Sequence, residues 1–332
     1  MRIAINGFGR IGRAAFKVAL AKTIEVAAVN DLSDPATLAH LLKYDSMYGR
    51  YHEKVEVSGD NLIVAGQTVK ILKEKDPSRL PWGSLEVDVV LECTGRFTTL
   101  EDASLHLNAG AKRVIISAPA KGPGVPTIVR GVNHDRIDAS HAVVNNASCT
   151  TNCMSPIVEV IHSAFGVVKA AMTTIHSYTA DQNLQDGSHR DLRRARAAAV
   201  NIIPTTTGAA IATTEVLPEL VGKFDGLAIR VPTAVVSLSD VTLLVSRKVT
   251  AAQVNEAFER AAATPRYQGI LAVTREPLVS SDFIGNTYSA VVDASLTNVV
   301  AGDLVKVIAW YDNELGYSHR LIELVLDVAR TL

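Results

Sequence analysis

The chain has 332 residues, 48% of them hydrophobic and 20% charged, with a formal net charge of −1. That balance offers no overall electrostatic handle for nucleic acid or an anionic membrane surface, and no apolar run approaches the roughly 20 residues of a membrane helix. The length suits about two domains, and three cysteines are too few for a disulfide framework, so reduced thiols and a cytoplasmic location are expected.

The opening "MRIAINGFGR" enters a strand-and-glycine pattern at once, so no targeting segment is expected there. Through residue 148, short β-branched runs ("RIAIN", "EVAAVN", "VDVVLE", "KRVIIS", "HAVVNN") alternate with helical patterns. Near-continuous apolar strands suit a parallel sheet buried on both faces. Helices are expected at "RIGRAAFKVALAK" and "DPATLAHLLKYD", the second with Asp34 as N-cap and Pro35 at its first position. The expected class is α/β, with a doubly wound, Rossmann-type dinucleotide-binding domain over 1–148, completed by a C-terminal helix over 315–332. From 149 to 314 the runs lengthen and often alternate, predicting an α+β catalytic domain with a mainly antiparallel sheet. Residues 179–201 show no period and are rich in Arg, Asp and Gly, the signature of a long functional loop.

"INGFGRIG" places Gly7, Gly9 and Gly12 in GxGxxG spacing between a strand and a helix. The first glycine permits a tight turn, the second lets backbone approach a pyrophosphate, and the third lets helix and strand pack closely. The plain alternative is a set of turn glycines. Asp31, 19 residues after Gly12 at the end of the next strand, favours the dinucleotide because a carboxylate there accepts from ribose hydroxyls.

"NASCTTNCM" holds Cys149 and Cys153. A zinc site needs about four ligands and no second Cys or His pair accompanies these two, so no metal is expected. Burial as small apolar residues suits Cys153 and Cys93. Cys149 instead opens a predicted helix near Ser148, where the dipole and unpaired N–H groups lower a thiol pKa. Pro156 argues against regular first turns in that helix. His176 ends the strand "AAMTTIHSY", where a histidine is more often a hydrogen-bonded structural residue, and its role depends on what surrounds it.

Together "INGFGRIGR", "LLKYDS", "ISAPAK", "NASCTTNC", "TTIHSYTADQ", "DLRRARAA", "IIPTTTGAA", "IRVPT" and "WYDNELGYS" resemble the phosphorylating glyceraldehyde-3-phosphate dehydrogenases, in order along essentially the whole chain. The resemblance implies that Cys149 attacks the aldehyde, that hydride passes to a nicotinamide, and that inorganic phosphate cleaves the resulting thioester, with His176 as acid and base. It implies one anion pocket at Thr179, Asp181 and Arg230 for the substrate phosphate. A second, for attacking phosphate, falls at Ser148, Thr150, Thr207 and Gly208, with Arg194 serving one or the other. Asn313 and Tyr317 match the residues at the nicotinamide, and Arg10, Ile11, Asp31 and Ser117 match dinucleotide contacts. The family places the loop carrying "RDLRRARAA" at a subunit interface of a homotetramer, and without aromatic interleaving or net positive charge the cluster does not suggest nucleic acid.

The chain departs from the family pattern at four places. Lys75 stands where an adenine-side Arg is common, Cys93 where Ser is usual, and Leu315 where Trp or Thr is more usual. Gly187 and Ser188 replace the Leu-Pro of many NAD-selective members and leave room for the 2′-phosphate of NADP. Because Asp31 repels that phosphate, NAD is the expected preference, with NADP accepted as a second cofactor. The rival activity is oxidation of erythrose 4-phosphate with hydrolysis of the thioester, which the intact Thr179, Asp181 and "PTTTG" disfavour. An idle dinucleotide-sensing regulator is expected to lose Cys149 or His176, and both are present.

Overall fold

A computed structural model describes residues 1–332. The elements in chain order are β1 (Arg2–Asn6), α1 (Arg10–Ala21), β2 (Glu25–Asn30), α2 (Pro35–Lys43), β3 (Tyr44–Asp45), β4 (Gly49–Arg50), β5 (Val55–Ser58), β6 (Asn61–Val64), β7 (Gln67–Leu72), β8 (Val89–Glu92), α3 (Leu100–Asn108), β9 (Arg113–Ile116) and β10 (Val143–Asn145). They continue as α4 (Cys149–Phe165), β11 (Val167–Ser177), β12 (Ile203–Thr206), α5 (Ala209–Val216), β13 (Phe224–Val231), β14 (Ser237–Val245), α6 (Ala251–Ala262), β15 (Leu271–Thr274), β16 (Ala290–Asp293), β17 (Asn298–Val300), β18 (Leu304–Tyr311) and α7 (Leu315–Ala329). Two compact units result, Met1–Ala147 with Ser318–Leu332, and Ser148–Tyr317.

The first unit is built on a sheet in the order β10-β9-β8-β1-β2-β7-β6-β5. Pairing is parallel from β10 through β7 and antiparallel in the outer β7-β6-β5 meander. The four residues of β8 and the last four of β1 are buried, which explains why those runs carry no polar alternation. Asp34 caps α2 through the Thr37 N–H at 2.9 Å, and Pro35 occupies the first helical position, as the sequence predicts. On α7, Glu323 and Asp327 receive the Arg130 guanidinium at 2.8 and 2.9 Å, fastening the C-terminal helix within this unit.

The second unit carries a sheet in the order β12-β13-β11-β14-β18-β16-β15, with β17 on β18. It is antiparallel except where β11 meets β13 and β15 meets β16. β14 shows the strict alternation of a sheet with one covered face. α4 packs on that sheet against α5 and α6 and is buried over most of its length. The helix runs unbroken through Pro156, contrary to the expected irregular first turns. Proline at the eighth helical residue removes one N–H, and burial of nearly every surrounding side chain outweighs the loss.

Candidate active site

The glycine turn of the first unit is shaped by close contact. At Gly7 φ is 93°, and a Cβ would lie 2.8 Å from both the Cys93 carbonyl carbon and the Thr94 nitrogen. Glycine alone meets both demands. A Cβ on Gly12 would meet the Gly7 carbonyl oxygen at 2.1 Å, so its absence lets α1 close on the turn. Gly9, the N-cap of α1, has open space where a Cβ would stand and supplies no side-chain cap. The first turn of α1, including Arg10 and Ile11, therefore offers backbone N–H groups to an anion.

Asp31 follows β2 and accepts from the Phe8 and Ser33 N–H groups at 2.9 Å each. Partial burial opposes its charge, but those N–H groups, the Ser33 hydroxyl and nearby Arg13 prevail and hold the carboxyl below its ordinary value. A turn open at Gly9 and an ionised carboxylate beside it fit the pyrophosphate and ribose of a dinucleotide. The Arg10 guanidinium turns instead to Asp45, at 3.1 and 3.3 Å, which leaves the backbone N–H to meet the contact expected of this residue. Ser117 follows β9, donates its N–H to the Glu92 carbonyl at 2.9 Å, and turns its hydroxyl to the Cys93 sulfur. Lys75 is exposed on the loop after β7.

In the second unit Ser148 caps α4, its hydroxyl accepting the Thr151 N–H at 3.0 Å, which makes Cys149 the first helical residue. Cys149 Sγ lies 3.4 Å from His176 Nε2. His176 is the penultimate residue of β11, and the parallel register with β13 sets Arg230 directly opposite it. Arg230 Nη1 approaches the Ser177 carbonyl at 3.0 Å, Thr179 Oγ1 at 3.2 Å and His176 Nδ1 at 3.0 Å, while Nδ1 is 2.7 Å from the same carbonyl. An arginine nitrogen only donates and a carbonyl only accepts, so Nδ1 satisfies one of these neighbours. The two Nη1 hydrogens are taken by Ser177 and Thr179. Nδ1–H therefore donates to the Ser177 carbonyl, and Nε2 presents a lone pair to the thiol.

The electrostatics correct one expectation. Burial pushes the Cys149 thiol up, against the lowering influence of Arg230, Thr150 and its own N–H. Burial, then Arg230, pushes His176 down to about 3. A helix start alone does not create a thiolate here, because desolvation outweighs the dipole. Moving the proton from Sγ to Nε2 creates both ions as an adjacent pair with no net charge, which burial penalises far less than either ion alone. Cys93, pushed up to about 12 by burial, and Cys153, pushed higher still, have no such partner.

The remaining residues sort by what they touch. Thr150 Oγ1 is 2.9 Å from the Tyr311 hydroxyl, itself 2.8 Å from Thr174 Oγ1, which ties the cysteine's helix start to the strand carrying His176. Asn313 Oδ1 accepts from Ser177 Oγ at 3.0 Å and Ser237 Oγ at 3.1 Å, leaving its Nδ2 hydrogens as donors; Tyr317 is buried on α7. Burial, then the charge of Arg194, lowers the Arg230 pKa. Arg194 is not a lone cation as its anion role would suggest. Nη1 contacts Asp181, Nε donates to Thr205 Oγ1 at 3.0 Å, and Nη2 donates to the Thr206 carbonyl at 3.1 Å. Asp181, a carboxylate, repels phosphate, and its contact with Arg194 gives it an indirect place in the pocket. Thr207 Oγ1 accepts the Ala209 N–H at 3.2 Å, and Gly208 is the N-cap of α5. Gly187 and Ser188 are exposed in the long loop.

Sequence reasoning did not find Tyr311, Thr174, Ser177 or Ser237. Thr174 and His176 share one face of a strand by period two, but nothing local indicates a tyrosine more than a hundred residues away.

Two family models match the chain: glyceraldehyde 3-phosphate dehydrogenase, NAD binding domain, over residues 1–100, and glyceraldehyde 3-phosphate dehydrogenase, C-terminal domain, over residues 148–313. The chain is 55% identical to glyceraldehyde-3-phosphate dehydrogenase of Geobacillus stearothermophilus, over 99% of this chain and 98% of that one. It is 52% identical to glyceraldehyde-3-phosphate dehydrogenase 1 of Bacillus subtilis and to glyceraldehyde-3-phosphate dehydrogenase 2 of a Synechocystis species, at the same coverage. Profile, full-length identity and the cysteine–histidine pair at the helix start agree: the chain belongs to the glyceraldehyde-3-phosphate dehydrogenase family.

Proposed function

We propose that the protein catalyses the reversible oxidative phosphorylation of glyceraldehyde 3-phosphate to 1,3-bisphosphoglycerate, with NAD as hydride acceptor, in the cytoplasm and in either the glycolytic or the gluconeogenic direction. The observation that carries this reading is the 3.4 Å approach of Cys149 Sγ to His176 Nε2, with Arg230 Nη1 3.0 Å from Nδ1 of the same ring. His176 takes the thiol proton as Sγ adds to the aldehyde carbon and delivers it to the new oxyanion, which the Cys149 N–H at the start of α4 supports, so that a neutral hemithioacetal hydroxyl forms. The Gly7–Gly12 turn and Asp31 would hold NAD, Asn313 would donate to its carboxamide, and NAD so bound would supply the hydride acceptor that oxidation of the Cys149 hemithioacetal to a thioester requires. His176 takes the hydroxyl proton in that step and later protonates the departing sulfur as inorganic phosphate attacks. Arg230 and Thr179 hold the substrate phosphate. Ser148, Thr150, Thr207 and Gly208 receive the attacking phosphate, and Arg194, steered by Asp181, adds charge.

Residues 1–148 with the C-terminal helix serve as the dinucleotide domain and 149–314 as the catalytic domain. Leu184, Leu192 and Val200 of the long loop are 76%, 81% and 77% exposed, as is much of Ile202 beside it. So much exposed apolar surface in one segment favours a subunit interface, and a closed, two-fold-symmetric homotetramer is the assembly proposed. A concentration-independent monomer by light scattering overturns it.

Initial rates with glyceraldehyde 3-phosphate and erythrose 4-phosphate, with and without phosphate, and with NAD or NADP, test the chemistry. The expected result is phosphate-dependent oxidation of the triose, NAD preferred and NADP measurably accepted. Phosphate-independent turnover of erythrose 4-phosphate supports the rival activity instead. Asp31→Ala should narrow the gap between cofactors. At Gly187 a Cβ would meet the end of the Asn183 side chain at 3.1 Å and the Gln185 carbonyl oxygen at 3.7 Å. Gly187→Leu with Ser188→Pro should suppress NADP use alone. A higher kcat/KM with NADP in the unmodified enzyme overturns the weight given to Asp31.

A further inference from the structure

A buried polar chain crosses the ends of four neighbouring strands of the first sheet. Trp82 Nε1, which can only donate, bonds His106 Nδ1 at 3.0 Å, so the imidazole is the neutral Nε2–H form. Nε2 lies 3.1 Å from Glu92 Oε2, which also accepts from Asn6 Nδ2 at 2.6 Å. Glu92 Oε1 accepts the Thr94 N–H at 2.7 Å and the Thr94 hydroxyl. Asn6 Oδ1 accepts from Asn30 Nδ2 at 2.7 Å. The Asn30 amide then clamps Glu74 on both sides, donating to its carbonyl and accepting its N–H at 2.9 Å each. Trp82, His106, Glu92, Asn6 and Asn30 are at most 5% exposed.

Glu92, Asn6 and Asn30 are the last residues of β8, β1 and β2, and Glu74 lies just past β7. Each stands one residue before a position at the dinucleotide site: Cys93, which walls in Gly7; Gly7 itself; Asp31; and Lys75. The core around Trp82 is otherwise apolar, including Ala4, Ala28 and Val90, and a string of polar groups there is costly unless every member is satisfied.

The geometry points to His106 as a positioning residue of the cofactor site. It orients the Glu92 carboxylate, and through Asn6 and Asn30 that carboxylate sets the relative advance of four strand-end loops. The loops then present the Gly7 turn, the Asp31 carboxylate and Lys75 in register. The inference rests on the reading that Gly7, Asp31 and Lys75 hold NAD.

Calorimetric titration of NAD into the full-length protein, beside thermal melts and steady-state rates, tests it. His106→Leu and Asn30→Ala should raise the NAD Kd and KM by about tenfold or more, the scale of one lost buried hydrogen-bond partner. Binding stoichiometry, kcat at saturating NAD and the alkylation rate of Cys149 should hold. His106→Gln, which keeps a donor towards Glu92, should recover most of the affinity. A purely structural chain predicts a lower Tm and lower stoichiometry with unchanged Kd in the folded fraction, and that outcome overturns the inference. Asp31→Ala run in parallel separates the two failures. If Asp31→Ala weakens binding while the network variants do not, the inference alone fails; if Asp31→Ala also leaves Kd unchanged, the site reading fails.

Discussion

The glycine turn of the first unit and the thiol pocket of the second place their working groups by different means. The turn works through backbone: its shape comes from two missing Cβ atoms and its polarity from a helix start, with neutral amides and one satisfied carboxylate beneath. The pocket works through side chains that burial makes reluctant to ionise, so Cys149 and His176 gain reactivity only as a pair. In the turn, function depends on steric fit and should fail through geometry. In the pocket it depends on a proton position and should fail through chemistry with the fold intact.

The largest expected effect tests the pocket. Cys149→Ala should abolish turnover, by a factor on the order of 10⁴ to 10⁶, while calorimetry still finds NAD bound. Iodoacetamide at neutral pH should label Cys149 first, since it alone of the three thiols lies against a histidine that can take its proton. Early labelling of Cys93 or Cys153 with loss of activity breaks the comparison.

Next, His176→Asn should lower turnover by roughly 10² to 10⁴ and slow Cys149 alkylation, with Tm nearly unchanged. Equal alkylation rates would falsify the claim that the imidazole carries the thiol proton.

The turn is tested by its glycines. Gly12→Ala places a methyl 2.1 Å from the Gly7 oxygen, so urea unfolding should show a loss of about 2 to 4 kcal/mol. Gly9→Ala meets open space and should leave stability alone while weakening NAD. If both lose stability equally, Gly9 is a packing residue and the turn has no open face.

The smallest effect concerns a half-buried histidine with no thiol. His319, on the C-terminal helix, is pushed down to about 4 by burial and then Arg320. Above pH 6.5 it is neutral in both states. As pH falls, the unfolded chain takes up the proton first, so stability is lost between about 6.5 and 4. After allowance for its partial exposure, the loss should be about 1 kcal/mol. Urea midpoints at pH 7 and pH 5 should show a smaller drop for His319→Gln. An equal drop in both proteins removes His319 from the account.

Much of this was legible in linear order, and the reasons are local. The glycine spacing, the Asp34–Pro35 helix start and the unalternating strands of the first sheet follow from backbone sterics and burial period. So do the alternation of β14 and the placing of Cys149 at a helix start after Ser148. Pro156 misled because a breaker is judged locally, whereas α4 is held by the packing around it. The Cys149 pKa misled for the same reason: the dipole is local, and desolvation is set by everything that surrounds the sulfur.

By itself, then, the sequence determined the division into a parallel-sheet half and a mainly antiparallel half, the family, and the residue types available for chemistry, since each rests on contacts within a few residues or on motifs read in order. Only the tertiary structure decided which distant groups meet: Arg230 opposite His176 through the register of β11 and β13, Tyr311 between Thr150 and Thr174, and His106 behind the glycine turn. Strand register and burial are properties of the whole packed sheet, and they, more than any motif, set where a proton resides.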